Sequence, residues 1–275
     1  MPIEKTTGIV LKVVDFSETS CVVTLYTRDF GKVTALAKGA RRLRSPFEGA
    51  IDLLACCRIV FLRKSVDKLD LLTEAKLQRR FRSASTDLSR FYVGLYVIEL
   101  VSLLTDPAES QPELFDLVST TLQDIDTDPS PTLLTVELLA FELKLLAMLG
   151  HQPSLFDCVG CGKPIAPLSD NQSSNQSSDQ SSDQMPGNRK RVPFGMLVGG
   201  VYCQACRAGK RSIVGLQPET LQLMRQLSDS QADHREIECD VASRGELRGL
   251  LDQYVADLVG FRPKMQPWLK ETFRE

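Results

Sequence analysis

The chain has 275 residues, 43% of them hydrophobic, and its net charge of −2 conceals a strong asymmetry: residues 1–82 hold 16 Lys/Arg against 9 Asp/Glu, residues 83–157 hold 2 against 12, and residues 158–275 hold 15 against 14. That length accommodates two or three small domains, and the basic first part beside an acidic middle points to a polyanion met at the N-terminus. The opening MPIEKTTGIVLKVVDF lacks a basic stretch followed by a long apolar core, and no apolar run is long enough to span a bilayer, so neither a secretory signal nor a membrane helix is expected and the reading predicts a cytoplasmic protein.

The first 80 residues read as β-structure. Thr7 to Val14, Ser20 to Thr27 and Lys32 to Ala37 are short runs rich in Val, Ile, Leu and Thr, with an Asp29-Phe30-Gly31 turn between the second and third. Further apolar runs follow at Ile51 to Leu62 and Leu69 to Leu77. Five short strands with a basic face suit a small closed barrel of the OB-fold type, whose exposed strands and loops bind nucleic acid. The spacing alone fits an SH3-like barrel equally.

Between the third and fourth runs, Lys38-Gly39-Ala40-Arg41-Arg42-Leu43-Arg44-Ser45-Pro46 packs Lys38, Arg41, Arg42 and Arg44 between turn formers. Cations that meet phosphates release condensed counterions, so such a loop binds DNA tightly and without reading sequence. Arg28 and Lys32 are candidates to extend the patch, as are Arg79, Arg80 and Arg82, with Phe30 and Phe47 as candidate stacking residues. The plainer reading is a solvated loop that keeps the protein soluble.

From Leu77 the period changes from two to about 3.6. Leu88, Phe91, Tyr92, Leu95 and Ile98 step along a helix that ends before Asp106-Pro107, and a second covers Pro112 to Gln123. Ser130 as N-cap, Pro131 at the first helical position and Gly150 as terminator bound a third. Pro218 to Leu227 reads as a fourth, Ser243-Arg244-Gly245-Glu246 has the form of a capping box opening a fifth that runs to Gly260, and a closing segment surrounds Trp268.

Two Cys-x-x-Cys pairs, Cys158/Cys161 and Cys203/Cys206, interrupt the helical part. Each pair offers two sulfurs from one tight turn, and four thiolates make a closed tetrahedral Zn²⁺ site. The pairs stand 41 residues apart, where about 15 to 20 is usual. The excess lies in a repeat of Asn, Gln, Ser and Asp, which predicts a disordered insert at about 169–191. A cytosolic setting favours metal over two disulfides. Four sulfurs leave no open coordination position, so one structural zinc is expected, with no catalytic role. The remaining cysteines, Cys21, Cys56, Cys57 and Cys239, read as ordinary buried or half-buried residues.

Enzyme signatures are missing: the two histidines, His151 and His234, lie in no metalloprotease or deaminase motif, and there is neither a Walker A loop nor a Gly-x-Ser-x-Gly elbow. The segments G-I-V-L-K…E-T-S…V-T-L-Y-T-R-D-F-G-K…A-K-G-A-R-R, L-G-H-Q-P-x-L-x-x-C-x-x-C-G, G-G-V-Y-C-x-x-C and S-R-G-E-L-R-G-L-L-D-Q-Y occur in this order. Together they resemble the bacterial RecO family over nearly the whole chain apart from the Ser/Gln repeat.

The resemblance implies an α+β protein: an OB-fold DNA-binding domain over 1–80, a helical domain over 81–157 and 213–275, and a zinc module over 158–212 held by Cys158, Cys161, Cys203 and Cys206. It implies a non-enzymatic mediator that binds single- and double-stranded DNA and anneals complementary strands. With RecR, and in some pathways RecF, such proteins help RecA load onto DNA covered by single-strand-binding protein (SSB). The DNA-binding role carries over to Lys38, Arg41, Arg42 and Arg44. Two other readings fit the residues alone: an RNA-binding zinc and OB-fold protein, and a scaffold working through its acidic helices.

Overall fold

The computed structural model describes residues 2–42, 45, 47, 49–64, 68–107, 109–127, 130–165, 191–229 and 232–273. It divides into two compact units, Met1–Phe141 with Val259–Glu275, and Glu142–Leu258. The chain is α+β, with a five-stranded N-terminal sheet and several helices. The division into units falls within two helices, at Phe141/Glu142 and Leu258/Val259.

In the first unit, β1 (Ile3–Asp15), β2 (Cys21–Thr27), β3 (Gly31–Ala37), β4 (Cys56–Leu62) and β5 (Asp70–Arg79) close into a barrel of order β1-β2-β3-β5-β4. Every neighbouring pair is antiparallel except β3 with β5. Alternation along β3, buried at Val33, Ala35 and Ala37, sends those side chains into a core shared with Val23, Ile59 and Phe61.

The fourth strand begins later than the apolar run does. Leu54 sits at φ 67°, an uncommon conformation for a bulky residue. Its N–H and the Ala55 carbonyl pair with Val10, where the β1 register shifts. That pairing consumes Ile51 to Ala55 as a turn before regular pairing starts at Cys56.

Helix α1 (Leu88–Leu104) is apolar nearly all round, as a helix buried on several sides must be. Gly94 permits its close approach, since a Cβ there would stand 3.1 Å from Leu54 and 3.2 Å from Phe81. The Asp87 carboxylate accepts the Arg90 N–H and caps it. Helix α2 (Pro112–Thr127) buries Leu114, Phe115, Val118, Leu122 and Ile125, with Phe115 stacked on Tyr26 of the barrel at 6.5 Å. Tyr92 and Trp268 bring α1 against the C-terminal α6 (Gln266–Thr272).

Helix α3 (Pro131–Met148) has the predicted bounds. The Ser130 hydroxyl accepts the Leu133 N–H at 3.4 Å. At the other end Gly150 takes φ 76°, and its N–H and that of His151 return to the Ala147 and Leu146 carbonyls, closing a Schellman turn.

The second unit adds a three-stranded sheet that the sequence reading did not contain, β6 (Val192–Gly195) between β7 (Gly200–Val201) and β8 (Ile213–Leu216). It is followed by α4 (Pro218–Leu227) and α5 (Val241–Val259). Helix α5 starts earlier than the proposed capping box: Asp240 accepts the Ser243 N–H at 2.8 Å and its hydroxyl at 2.7 Å. Glu246, read from sequence as the far end of that box, instead accepts the Gln217 N–H at 2.8 Å and the Thr220 hydroxyl at 2.5 Å, at the start of α4. The predicted insert lies almost wholly outside the described residues.

Candidate nucleic-acid interface and metal centre

The basic segment leaves β3 at Ala37 and turns back at Gly39, whose φ of 73° suits glycine. Its backbone is tied down on both sides. The Gly39 N–H donates to the Ser20 hydroxyl at 3.4 Å, the Arg41 N–H to the Thr19 carbonyl at 3.1 Å, and the Arg42 N–H to the Gly39 carbonyl at 3.1 Å. Lys38, Arg41 and Arg42 all project into solvent, and Arg44 lies outside the described residues. Arg41 pairs with Asp15 at 2.9 Å, both side chains about half exposed or more (48% and 68%). An exposed pair of this kind is worth at most about 1 kcal/mol, so a phosphate can replace the carboxylate at little cost.

Arg28 and Lys32 belong to another surface of the barrel. The Arg28 guanidinium grips the Asp116 carboxylate of α2 with both Nη atoms, and those hydrogen bonds raise its pKa above the ordinary arginine value. The Lys32 ammonium donates to the Ser102 carbonyl of α1 at 2.8 Å, and burial lowers its pKa. Arg79 is similarly engaged, with the Ser119 carbonyl and Gln123. These three cations hold the barrel to its helices, whereas Arg80 and Arg82 are exposed.

The two aromatic residues singled out from sequence are not free to stack on bases. Phe47 is buried in the barrel core, and Phe30 packs edge-on against Phe61 at 5.6 Å with the Arg63 guanidinium over its ring at 5.1 Å. A third aromatic takes their place beside the basic loop. Phe16 is 63% exposed on the β1–β2 turn, where its N–H bonds to Ser20, the residue whose hydroxyl receives Gly39. The one sequence signal for it was an aromatic set among the polar residues Asp15, Ser17 and Glu18 between two strands.

The four cysteines converge. Cys158, Cys161, Cys203 and Cys206 place all their sulfurs within 4.8 Å of one another, with Cys161 and Cys203 3.9 Å apart. Sulfurs at about 2.3 Å from one tetrahedral ion stand roughly 3.8 Å from each other, so the donor set fits a metal. Each pair closes its own turn, through Gly162 N–H to the Cys158 carbonyl at 2.8 Å and Cys206 N–H to the Cys203 carbonyl at 3.1 Å. At Gly160 a Cβ would stand 2.9 Å from that of Cys206, so glycine lets the second turn seat on the first.

Burial raises the Cys158 thiol, but the N–H groups of Cys203, Gly160 and Cys161 outweigh it and bring its pKa down to about 6. Hydrogen bonds among the thiols, led by that to Cys203, push Cys206 up to about 12. The cluster is thus prepared to give up a first proton at neutral pH, and a metal would have to displace the rest.

Among the described residues no helix is long and apolar enough to cross a membrane. Residues 1–81 match the family model described as Recombination protein O N terminal, and residues 85–267 match Recombination protein O C terminal. The DNA repair protein RecO of Rhodopirellula baltica is 37% identical over 96% of this chain and 98% of its own. Those of Myxococcus xanthus and Symbiobacterium thermophilum are 34% and 32% identical, each over 96% of this chain and at least 94% of their own. Two family models that together run from residue 1 to residue 267, and relatives matched almost end to end, establish that the chain belongs to the RecO family of DNA repair and recombination proteins.

Proposed function

We propose that this protein is a non-catalytic, cytoplasmic mediator of recombinational repair. It binds single- and double-stranded DNA through Lys38, Arg41, Arg42 and Arg44, anneals complementary strands, and acts with RecR, and in some pathways RecF, to help RecA load onto SSB-coated DNA. The observation that carries the reading is the anchored, exposed basic turn at the mouth of a closed five-stranded barrel. We read the order β1-β2-β3-β5-β4, with β3 and β5 parallel, as an OB-fold over residues 1–80, a fold whose loops serve nucleic acids.

Annealing requires two phosphate backbones to approach. A cationic surface that screens both without contacting base edges promotes that approach with no nucleotide hydrolysis. Phe16 supplies an apolar face on which an unpaired base can stack next to the phosphates held by Arg41 and Arg42. Arg28 and Lys32 contribute indirectly, by fixing the barrel on α1 and α2. Cys158, Cys161, Cys203 and Cys206 hold one structural zinc, a closed site that braces the second unit.

The test is the affinity of the full chain for a fluorescent oligonucleotide after Arg41→Glu, Arg42→Glu and Arg44→Glu are combined. The expected result is loss of binding with the fold retained. Unchanged affinity at low salt would remove the loop from the DNA surface.

A further inference from the structure

The described residues that carry the cysteines, 158–165 and 191–212, contain Lys163, Arg191, Arg207, Lys210 and Arg211 and not one Asp or Glu. All five cations are exposed. Arg191 is committed, to Glu246 at 2.8 Å and to the Gly215 carbonyl at 2.8 Å. The other four have no carboxylate partner among the described residues. Asp157, bridged through its backbone to Pro164, is the one acidic residue adjoining this stretch, so cations prevail where a surface made only for solubility intersperses both signs.

The cations are also not accounted for by the cysteines. A divalent ion on four thiolates carries a net charge of about −2, and Lys163, Arg207, Lys210 and Arg211 outnumber it two to one. Each lies within five residues of a sulfur, on backbone tied to the cysteine turns or to the end of β6. The Lys163 carbonyl accepts the Cys158 N–H at 2.9 Å, and the N–H of Arg207 bonds to the Cys203 carbonyl at 3.2 Å. The N–H of Lys210 bonds to the Arg207 carbonyl at 3.2 Å, and its ammonium lies 5.9 Å from the centre of the Tyr202 ring. Arg211 precedes Ser212, whose carbonyl accepts the Met196 N–H at 3.0 Å from the end of β6.

We infer that Lys163, Arg207, Lys210 and Arg211 form a second DNA-backbone surface, built on the cysteine turns and separate from the barrel loop. The inference rests on the proposed DNA-binding function and extends it: each compact unit carries a phosphate-binding face. Two linked weak sites bind more tightly than either does, because the second contact is made within one complex. A strand on each face is also what an annealing protein requires. The surface contacts phosphates, so it accepts single strands and duplex alike.

The test compares three full-length proteins: wild type, the loop reversal above, and Arg207→Glu/Lys210→Glu/Arg211→Glu. Binding of a fluorescent oligo-dT and of a duplex of equal length is followed across a salt series, with metal content and thermal unfolding as checks on the fold. Three lost contacts predict weaker binding and a single-strand slope of log K against log salt shallower by about 2. Should the Glu variant lose its metal, Arg207→Gln/Lys210→Gln/Arg211→Gln removes the charge without adding any, and must show the same flattening. Wild-type affinity and slope in a metal-replete variant would overturn the inference while the loop reversal still showed the loop to be the DNA site. Wild-type behaviour in both reversals would overturn the proposed function as well.

Discussion

The Arg248 guanidinium closes on the Glu142 carboxylate through hydrogen bonds of 2.5 and 2.6 Å, with the two side chains 9% and 0% exposed. The same guanidinium reaches Asp252 one turn along α5 at 2.9 Å, so α5 and the second half of α3 are joined by a buried ionic cluster. Removing one partner strands a charge where water cannot reach it, at about 3–5 kcal/mol. Arg248→Met is therefore expected to lower stability in urea unfolding by that amount. Arg28→Ala, which breaks the exposed pair with Asp116, should cost far less, because water screens that pair in the folded chain. Similar costs for the two would contradict the assignment of Arg248 as the interior anchor.

Phe16→Ala separates stacking from charge. A base on an aromatic face contributes about 1–3 kcal/mol in single-strand binding, whereas a base-paired duplex offers no free face. The variant should bind single strands about five- to 150-fold more weakly and duplex as the wild type does. Equal losses on both would mean that Phe16 acts only through the shape of the turn.

One metal per chain is expected by elemental analysis, and Cys158→Ser with Cys203→Ser should abolish it. Thiolates bind and thiols do not, so retention in the presence of a competing chelator should fall as pH is lowered. A stable, fully active protein without metal would show that the four sulfurs are not a structural site.

The barrel should weaken in alkali. Burial raises Cys57 to about 12 from 9.0, and burial with the nearby Glu109 carboxylate raises Tyr26 to about 12 from 10.0. Both groups are held neutral in the folded state, so the unfolded chain loses protons first and stability falls between roughly pH 9 and 12. Cys57→Ser keeps a donor for the Ala50 carbonyl, 2.9 Å from the sulfur, and removes the titrating thiol. Its unfolding free energy should decline less steeply over that interval.

Much of this architecture was legible because single residues decide it locally. Ser130 and Gly150 bound α3 through backbone hydrogen bonds that their types favour, and the two Cys-x-x-Cys spacings were enough to bring four sulfurs together. What sequence reading missed depends on partners distant in the chain. Arg28 and Lys32 read from sequence as cations of a basic patch, and their partners in the fold, Asp116 and the Ser102 carbonyl, lie 88 and 70 residues away, where no local pattern shows them. Glu246 looked like a local cap and serves the start of α4. The β6–β7–β8 sheet escaped notice because two- to four-residue strands are too short to show alternation. Phe16 was passed over because exposure, unlike hydrophobicity, is not written in the residue type.

The central claim, that this protein brings complementary strands together by charge and without chemistry, is tested most directly by annealing. Complementary oligonucleotides are coated with SSB and mixed with and without the protein, in the absence of ATP, and duplex formation is followed by fluorescence. Acceleration that disappears with Arg41→Glu/Arg42→Glu/Arg44→Glu is the predicted result; no acceleration by the intact protein would contradict the account.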